Sequence, residues 1–277
     1  MKKWLIAAGI LLLAGLIAGT AGMILLDFDF TNLSTETYTT TTTEITENFT
    51  AISVELDTAD IRLIRSEDES CRAVIRDSEK EKYTVSVREN TLILETRETP
   101  WWDHIALISF TSPEIDLYLP RDAYDTLRIE SDTGDAEIPA GFRFARAEIE
   151  TDTGDVFWYA PVTDSLALST DTGDITVQNV SVGGLELETD TGDVLLTDVI
   201  CRQFEAESST GDIRMERFDA DSIRIETSTG DVTGTLLSEK IFVTETDTGR
   251  VRVPSGSSGG RCEIHTDTGD IELTIAS

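Results

Sequence analysis

A Thr-Gly pair recurs through the second half of the chain, with glycines at Gly134, Gly154, Gly173, Gly192, Gly211, Gly230, Gly249 and Gly269, so successive copies lie 19 or 20 residues apart. A fixed period of this length marks an array in which each repeat is one supersecondary unit. Seven and five residues before the glycines stand pairs such as Leu166 and Leu168, Leu185 and Leu187, and Ile223 and Ile225. Two and four residues after them stand Val156 and Trp158, Ile175 and Val177, and Val194 and Leu196. The residues between are mostly polar or charged. Alternation with period two on both sides of the glycine means two short strands per repeat, each with one face inward. No helix has room to form, and a two-strand unit cannot bury its apolar face alone, so the repeats must stack. The expected fold is all-β: a single-stranded β-solenoid, or β-helix, of ~19-residue coils whose eight turns at ~4.8 Å span about 38 Å. It should occupy residues 121–277.

Residues 48–120 carry the same signal in weaker form. In "ISVELDTADIRL", Ile52 and Val54 precede Ala59, and Ile61 and Leu63 follow it, matching the repeat columns with alanine in the glycine's place. Tyr83, Val85 and Val87, then Leu92 and Leu94, alternate around Glu89-Asn90-Thr91, and "EIDLYLP" supplies Ile115, Leu117 and Leu119. This region reads as an irregular amino-terminal β cap. Within it, "TPWWDHIALISF" sets Trp101 and Trp102 either in the core or in a contact patch.

Met1-Lys2-Lys3 precedes Trp4–Leu26, an uncharged apolar run of 23 residues. At 1.5 Å per residue it is long enough to cross about 30 Å of hydrocarbon as one transmembrane helix. Residues 1–26 therefore read as a membrane anchor, with a cleaved signal peptide as the rival reading. Lysines before the span and Asp27 and Asp29 after it place the remainder outside the cytoplasm, giving a single-pass protein of the cell membrane with an extracytoplasmic carboxy-terminal domain. Residues 27–47, with the run Thr39–Thr43, lack apolar periodicity and read as a linker.

The chain has 53 acidic against 22 basic residues and a formal charge of -31. Such a surface repels nucleic acid and anionic lipid headgroups and suits cations, basic proteins or sugars. Cys71, Cys201 and Cys262 form an odd set without a CxxC spacing. Neither a zinc site nor a disulfide framework is indicated. Cys262 falls in an apolar column and is expected to be a small core residue, unpaired with Cys201.

The acidic residues are themselves periodic. Asp132, Asp152, Asp171 and Asp190 lie two before their glycines, and Asp135, Asp155, Asp174 and Asp193 one after, whereas Ser209 and Ser228 interrupt the first column. Stacked carboxylates about 5 Å apart repel by somewhat under ~1 kcal/mol per pair in water. One relief is that each accepts a backbone N–H in its own turn and splays into solvent. The other is that Ca²⁺ bridges adjacent carboxylates, since these oxygens suit a hard cation. The eight named aspartates are then the candidate metal ladder. No other cofactor is indicated. The last coil, "DIELTIAS", turns Ile271, Leu273 and Ile275 inward and predicts an open end suited to a weak homodimer through the carboxy-terminal coil.

An anchor, a degenerate "SVELDTADIRL" strand, the "EIDLYLPRDAYDTLRIES" lead-in and iterated "TDTGDV" coils together resemble the bacterial β-strand-repeat family catalogued as putative adhesins, a domain of unknown function that includes LiaG-like envelope proteins. The resemblance spans roughly residues 48–277. It implies an exported envelope β-solenoid and brings no catalytic residues. Enzymatic chemistry needs unlike groups converging at one place, whereas the acidic pattern here is uniform and the only histidines are His104 and His265. The expected role is non-enzymatic: an adhesin-like binding or scaffold protein whose envelope protein or glycan partner the sequence does not name. The alternatives are an accessory of envelope-stress signalling and a glycan-active β-helix.

Overall fold

The computed structural model describes residues 38–78, 83–97 and 112–276. Trp4–Leu26, the tryptophans at Trp101 and Trp102, and His104 lie outside the described residues. Among those described, no helix is long and apolar enough to cross a membrane.

Each repeat folds as one long and one shorter strand joined at the Thr-Gly corner. The long strands, among them Val162–Thr172, Ser181–Thr191 and Ile200–Thr210, pair in parallel, with Leu166 opposite Leu185 and Leu185 opposite Phe204. The strands after the glycine, such as Ile175–Gln178 and Val194–Thr197, pair in the same register in a second sheet, with Ile175 opposite Val194. Equivalent residues therefore stack, and the four apolar columns face each other between the sheets. Leu168, Leu187, Ile225, Val156, Trp158, Val177 and Leu196 are at most 1% exposed. Burying one such aliphatic side chain stabilises by ~1.5–3 kcal/mol, which is why a unit unable to fold alone holds as a stack.

Spatial order departs from chain order at both ends. The coil formed by Ala51–Thr58 and Asp60–Arg65 lies one position in from the end of the parallel stack. Its first strand pairs with Thr91–Thr96 on one side and Ala123–Thr133 on the other, and its second lies between Glu114–Leu119 and Ala136–Ile138. Ala59 thus occupies a true corner, as its sequence columns suggest. Beyond it, Tyr83–Arg88 and Cys71–Ser78 close the two sheets in antiparallel fashion. The hairpin turn uses Glu89 and Asn90 at positive φ, 50° and 67°.

Two expectations are corrected. The threonine run is not all linker: Tyr38–Ile45 is a strand antiparallel to Cys71–Ser78, the outermost of its sheet among the described residues. Nor does the last coil end the stack. Gly260–Thr268 is inserted between Ile213–Thr229 and Lys240–Thr248, and Ile271–Ile275 between Val232–Leu236 and Val251–Arg252. Ile271 and Leu273 are accordingly buried, at 0% and 3% exposure. The physical reason is that coils 240–252 and 260–275 carry the same columns, and the loop at 253–259 can lead the chain back inward. Its glycines allow the close approach: a Cβ on Gly259 would lie 1.8 Å from the Glu239 carbonyl oxygen.

Cys71, Cys201 and Cys262 are all free and buried, Cys262 as its column requires. Cys201 and Cys262 sit two coils apart, because the coil at 240–252 is displaced to the end.

Candidate functional site

Each motif residue has a distinct neighbour in the adjacent coil. At the corner the chain bends, and a Cβ on Gly192 would stand 1.9 Å from the carbonyl oxygen of Gly173. No side chain fits there, so glycine is required by approach as well as by its φ of 155°. The threonine three before the glycine points inward. Thr170, Thr189 and Thr266 donate their hydroxyls to the carbonyls of Gly154, Gly173 and Gly230 at 3.1, 3.4 and 3.3 Å. The hydroxyls of Ser131, Thr151, Ser208 and Thr227 in the same column are buried without a partner.

The aspartate after the glycine completes the corner. Glycine N–H groups donate to threonine carbonyls of one neighbouring coil, as from Gly173 to Thr191 at 2.9 Å. The next N–H points to the opposite neighbour, where the acceptor is a carboxylate. Asp155 N–H donates to Oδ1 of Asp135, Asp174 N–H to Asp155 and Asp193 N–H to Asp174, at 2.8, 2.8 and 2.7 Å. The series begins at Asp60, which receives Asp135 N–H at 3.0 Å. It runs on through Asp212, Asp231 and Asp270 to the N–H of Arg250. The carboxylate thus supplies an acceptor at the bend, and the bond joins neighbouring coils rather than closing within one turn as the sequence reading had it. A hydrogen bond to a charged acceptor contributes about 1.5–3 kcal/mol when shielded and less in water, the right order to offset the repulsion within the column.

The eight predicted aspartates therefore separate into two groups. Asp135, Asp155, Asp174 and Asp193 each commit Oδ1 to the next coil, and Asp132, Asp152, Asp171 and Asp190 stand exposed on the long sheet. Among the described residues, no three His, Cys, Asp or Glu side chains converge as a metal site. What the second group shares is a face. Four before the glycine, Glu130, Glu150, Glu188, Glu207, Glu226 and Glu245 point the same way, with Ser169 and His265 as the exceptions. Arg128 and Arg224 neutralise part of it, pairing with Glu130 and Glu226 at 2.9 and 2.6 Å. Where Ser209 and Ser228 replace aspartate, a shallow opening is lined by Asp190, Glu207, Glu226, His265 and Asp267. Ser209 donates to Asp190 at 3.1 Å, and His265 Nε2 lies 3.2 Å from Asp267. His265 faces outward, as its parity requires.

The inward threonine column escaped the sequence reading, although its signal was present. Thr170 and Thr189 continue the period-two run that Leu166 and Leu168, or Leu185 and Leu187, begin.

Residues 49–277 match the family model described as Toastrack DUF4097. No protein of curated function matches the sequence. Among solved structures, a putative adhesin from Bacteroides fragilis is similar at TM-score 0.51 and 15% identity, covering 87% of this chain and 97% of that one. A putative adhesin from Parabacteroides distasonis is similar at TM-score 0.49 and 9% identity, covering 86% and 98%.

Proposed function

The chain belongs to the Toastrack family over residues 49–277, and from that premise we propose that it is a non-enzymatic, adhesin-like rod. It is held to the cell membrane by Trp4–Leu26 and displays an anionic face outside the cytoplasm. The observation that carries this reading is the division of labour within the motif. Threonine, glycine and the second aspartate face the stack, whereas the aspartate two before the glycine stands exposed to solvent, with the glutamate column beside it. A repeated, solvated row of like groups suits a partner that binds by summed weak contacts, such as a basic envelope protein or a glycan presenting cationic groups. It does not suit a reaction, which needs unlike groups with separated pKa values.

The test is a titration of the full-length chain with a cationic peptide, comparing Asp171→Ser alone with Asp132, Asp152, Asp171 and Asp190 all changed to serine. Affinity should fall stepwise with the number of charges removed and weaken with salt. Complete loss from one substitution would point to a localised site and sink the reading.

A further inference from the structure

The two ends of the stack differ. At the end where Tyr38 enters, antiparallel strands cover the outermost parallel coil, with Tyr83, Val85 and Val87 packed on the core. At the other end, among the described residues, Lys240–Thr248 pairs only with Gly260–Thr268, and Val251–Arg252 only with Ile271–Ile275. The long sheet therefore finishes in a nine-residue strand with a free edge. The inward side of this end coil is half covered: Phe242 and Val253 are partly buried, and Val251 is 42% exposed.

This coil also breaks the outward pattern. Six before the glycine, the other coils place Arg128, Glu148, Glu186, Glu205, Arg224 and Glu263 among their outward residues, with the small Ala167 as the exception, but here the residue is Val243, 45% exposed. Ile241, two residues earlier, is equally exposed. Charge changes as well. Residues 237–253 hold three acids, Glu239, Glu245 and Asp247, against three bases, Lys240, Arg250 and Arg252, and so are neutral in a chain of charge -31. The coil at 181–197 has Glu186, Glu188, Asp190 and Asp193 and no base. Repulsion between two copies is therefore lowest at this end. Arg250 replaces the ladder aspartate, so a further coil stacked in parallel would find no carboxylate for its corner N–H. An antiparallel strand meets no such requirement.

We propose that this end pairs with the same end of a second copy, edge strand to edge strand and antiparallel, about a two-fold axis at Phe242. The two Phe242 rings then meet on the core side, and each Ile241 lies opposite a Val243 on the outer side. Because Tyr38 enters at the far end, the joined tips lie remote from Tyr38 of both copies. Resting on the tethered reading above, the contact would bridge two facing membranes rather than neighbours in one.

Sedimentation of the full-length chain in non-ionic detergent tests the pairing. A concentration-dependent dimer is expected, strengthened as salt screens the acidic flanks. Val243→Arg sets like charges at an exposed position and should raise the dissociation constant at least ~10-fold. Phe242→Cys should cross-link the copies on mild oxidation, since the three native cysteines are buried. A chain that stays monomeric at every concentration, or a dimer indifferent to Val243→Arg, overturns the proposal. Clustering of vesicles carrying the full-length chain addresses the tether separately: a Val243→Arg-sensitive dimer that fails to cluster vesicles upholds the tip contact and removes the bridging of membranes.

Discussion

The guanidinium of Arg250 closes on Asp270, Nη2 at 2.7 Å and Nε at 3.1 Å from Oδ2, while the Arg250 backbone N–H donates to Oδ1 of the same carboxylate at 2.8 Å. Every earlier corner from Asp135 onward offers a carboxylate to the coil beyond it, but among the described residues no coil lies past Arg250. The one basic residue in the column thus stands where the ladder stops, and its side chain turns back to neutralise the last carboxylate. The side-chain bond from Arg250, then its backbone bond, hold the Asp270 carboxyl below its ordinary range. A depressed carboxyl contributes stability above its unfolded value, near ~3.9, and loses it as pH falls through the folded value. Arg250→Ala should therefore move the Asp270 titration, followed by side-chain carbonyl NMR, upward toward that of a free aspartate. An unchanged midpoint would show that the guanidinium contributes nothing.

Glycine is required at the corners and dispensable at Gly184. A Cβ on Gly192 would collide with the Gly173 carbonyl, whereas one on Gly184 meets nothing within 4 Å. Gly192→Ala should cost about 3 kcal/mol, because neighbouring backbones must separate. That corresponds to a melting temperature lower by roughly 6–12 °C for a domain of this size. Gly184→Ala, in a strand interior, should be neutral or slightly stabilising. Equal effects in thermal melts would contradict the stacking at the corner.

The ladder and the cation reading part at Asp174. Asparagine keeps an acceptor for the Asp193 N–H and removes one like charge from the column, whereas alanine removes both. If the role is structural, Asp174→Asn should leave stability within ~0.5 kcal/mol of the parent, and Asp174→Ala should lower it by about 1 kcal/mol. Melting curves with millimolar Ca²⁺ and with chelator supply the other arm. A Ca²⁺-dependent rise in melting temperature that Asp174→Asn abolishes would establish the bridged ladder instead.

How much of this was legible follows from which residues repeat. Leu166, Leu185, Val177 and Leu196 announce their columns because side-chain parity is fixed relative to the glycine. Val180, Val199 and Phe218, buried in a further column, lie across the connection between coils, where no corner sets the parity. The strand at 38–45 was hidden for another reason: an edge strand of threonines satisfies β propensity without an apolar stripe. The inversion of the last two coils is the deepest omission. Phe242 and Thr244 occupy the same columns as Cys262 and Ile264, so local preference does not decide which coil lies outside. The clues were the departures from pattern, Arg250, Val243 and the loop "PSGSSGG", whose joint meaning depends on knowing where the stack ends.

Alkaline pH should weaken the fold through its thiols. Burial pushes Cys201 and Cys262 up to about 12 and Cys71 up to about 11, from 9.0. A raised folded value leaves stability intact below ~9 and erodes it as pH climbs toward 12, because the unfolded chain ionises first. The loss should reach roughly 1–2 kcal/mol per thiol by pH ~10.5. Denaturant melts of Cys262→Ala and the parent at pH 8 and 10.5 isolate one contribution. The variant, though weaker at pH 8 for lack of the sulfur, should lose less on alkalisation, and parallel losses would refute the assignment.

Removing the last coil should unfold more than the last coil. In a solenoid whose spatial and chain orders agree, a terminal repeat can be cut away and its neighbour becomes the new end. Here residues 260–275 lie between two other coils. Gly230 N–H donates to Thr268, Val232 N–H to Asp270 and Asp270 N–H to Asp231 Oδ1, at 3.0, 2.9 and 2.7 Å. On the other side Gly269 N–H donates to Thr248 at 3.0 Å, and Ile271 N–H to Arg250 at 2.8 Å. A chain ending at Ser255 therefore loses the support of the coil at 240–252 and exposes Ile223, Ile225 and Val232, while retaining the sequence of every other coil. Its denaturant midpoint should match that of a chain ending at Leu236, and its residues 237–255 should be cleaved by protease under conditions where the full-length chain resists. The competing outcome is specific: Lys240–Thr248 could slide inward and dock directly on Ile213–Thr229, since it carries the same columns. Protection of 237–255 in the shortened chain would reveal that substitution and show that the inserted coil is not needed to hold the end together.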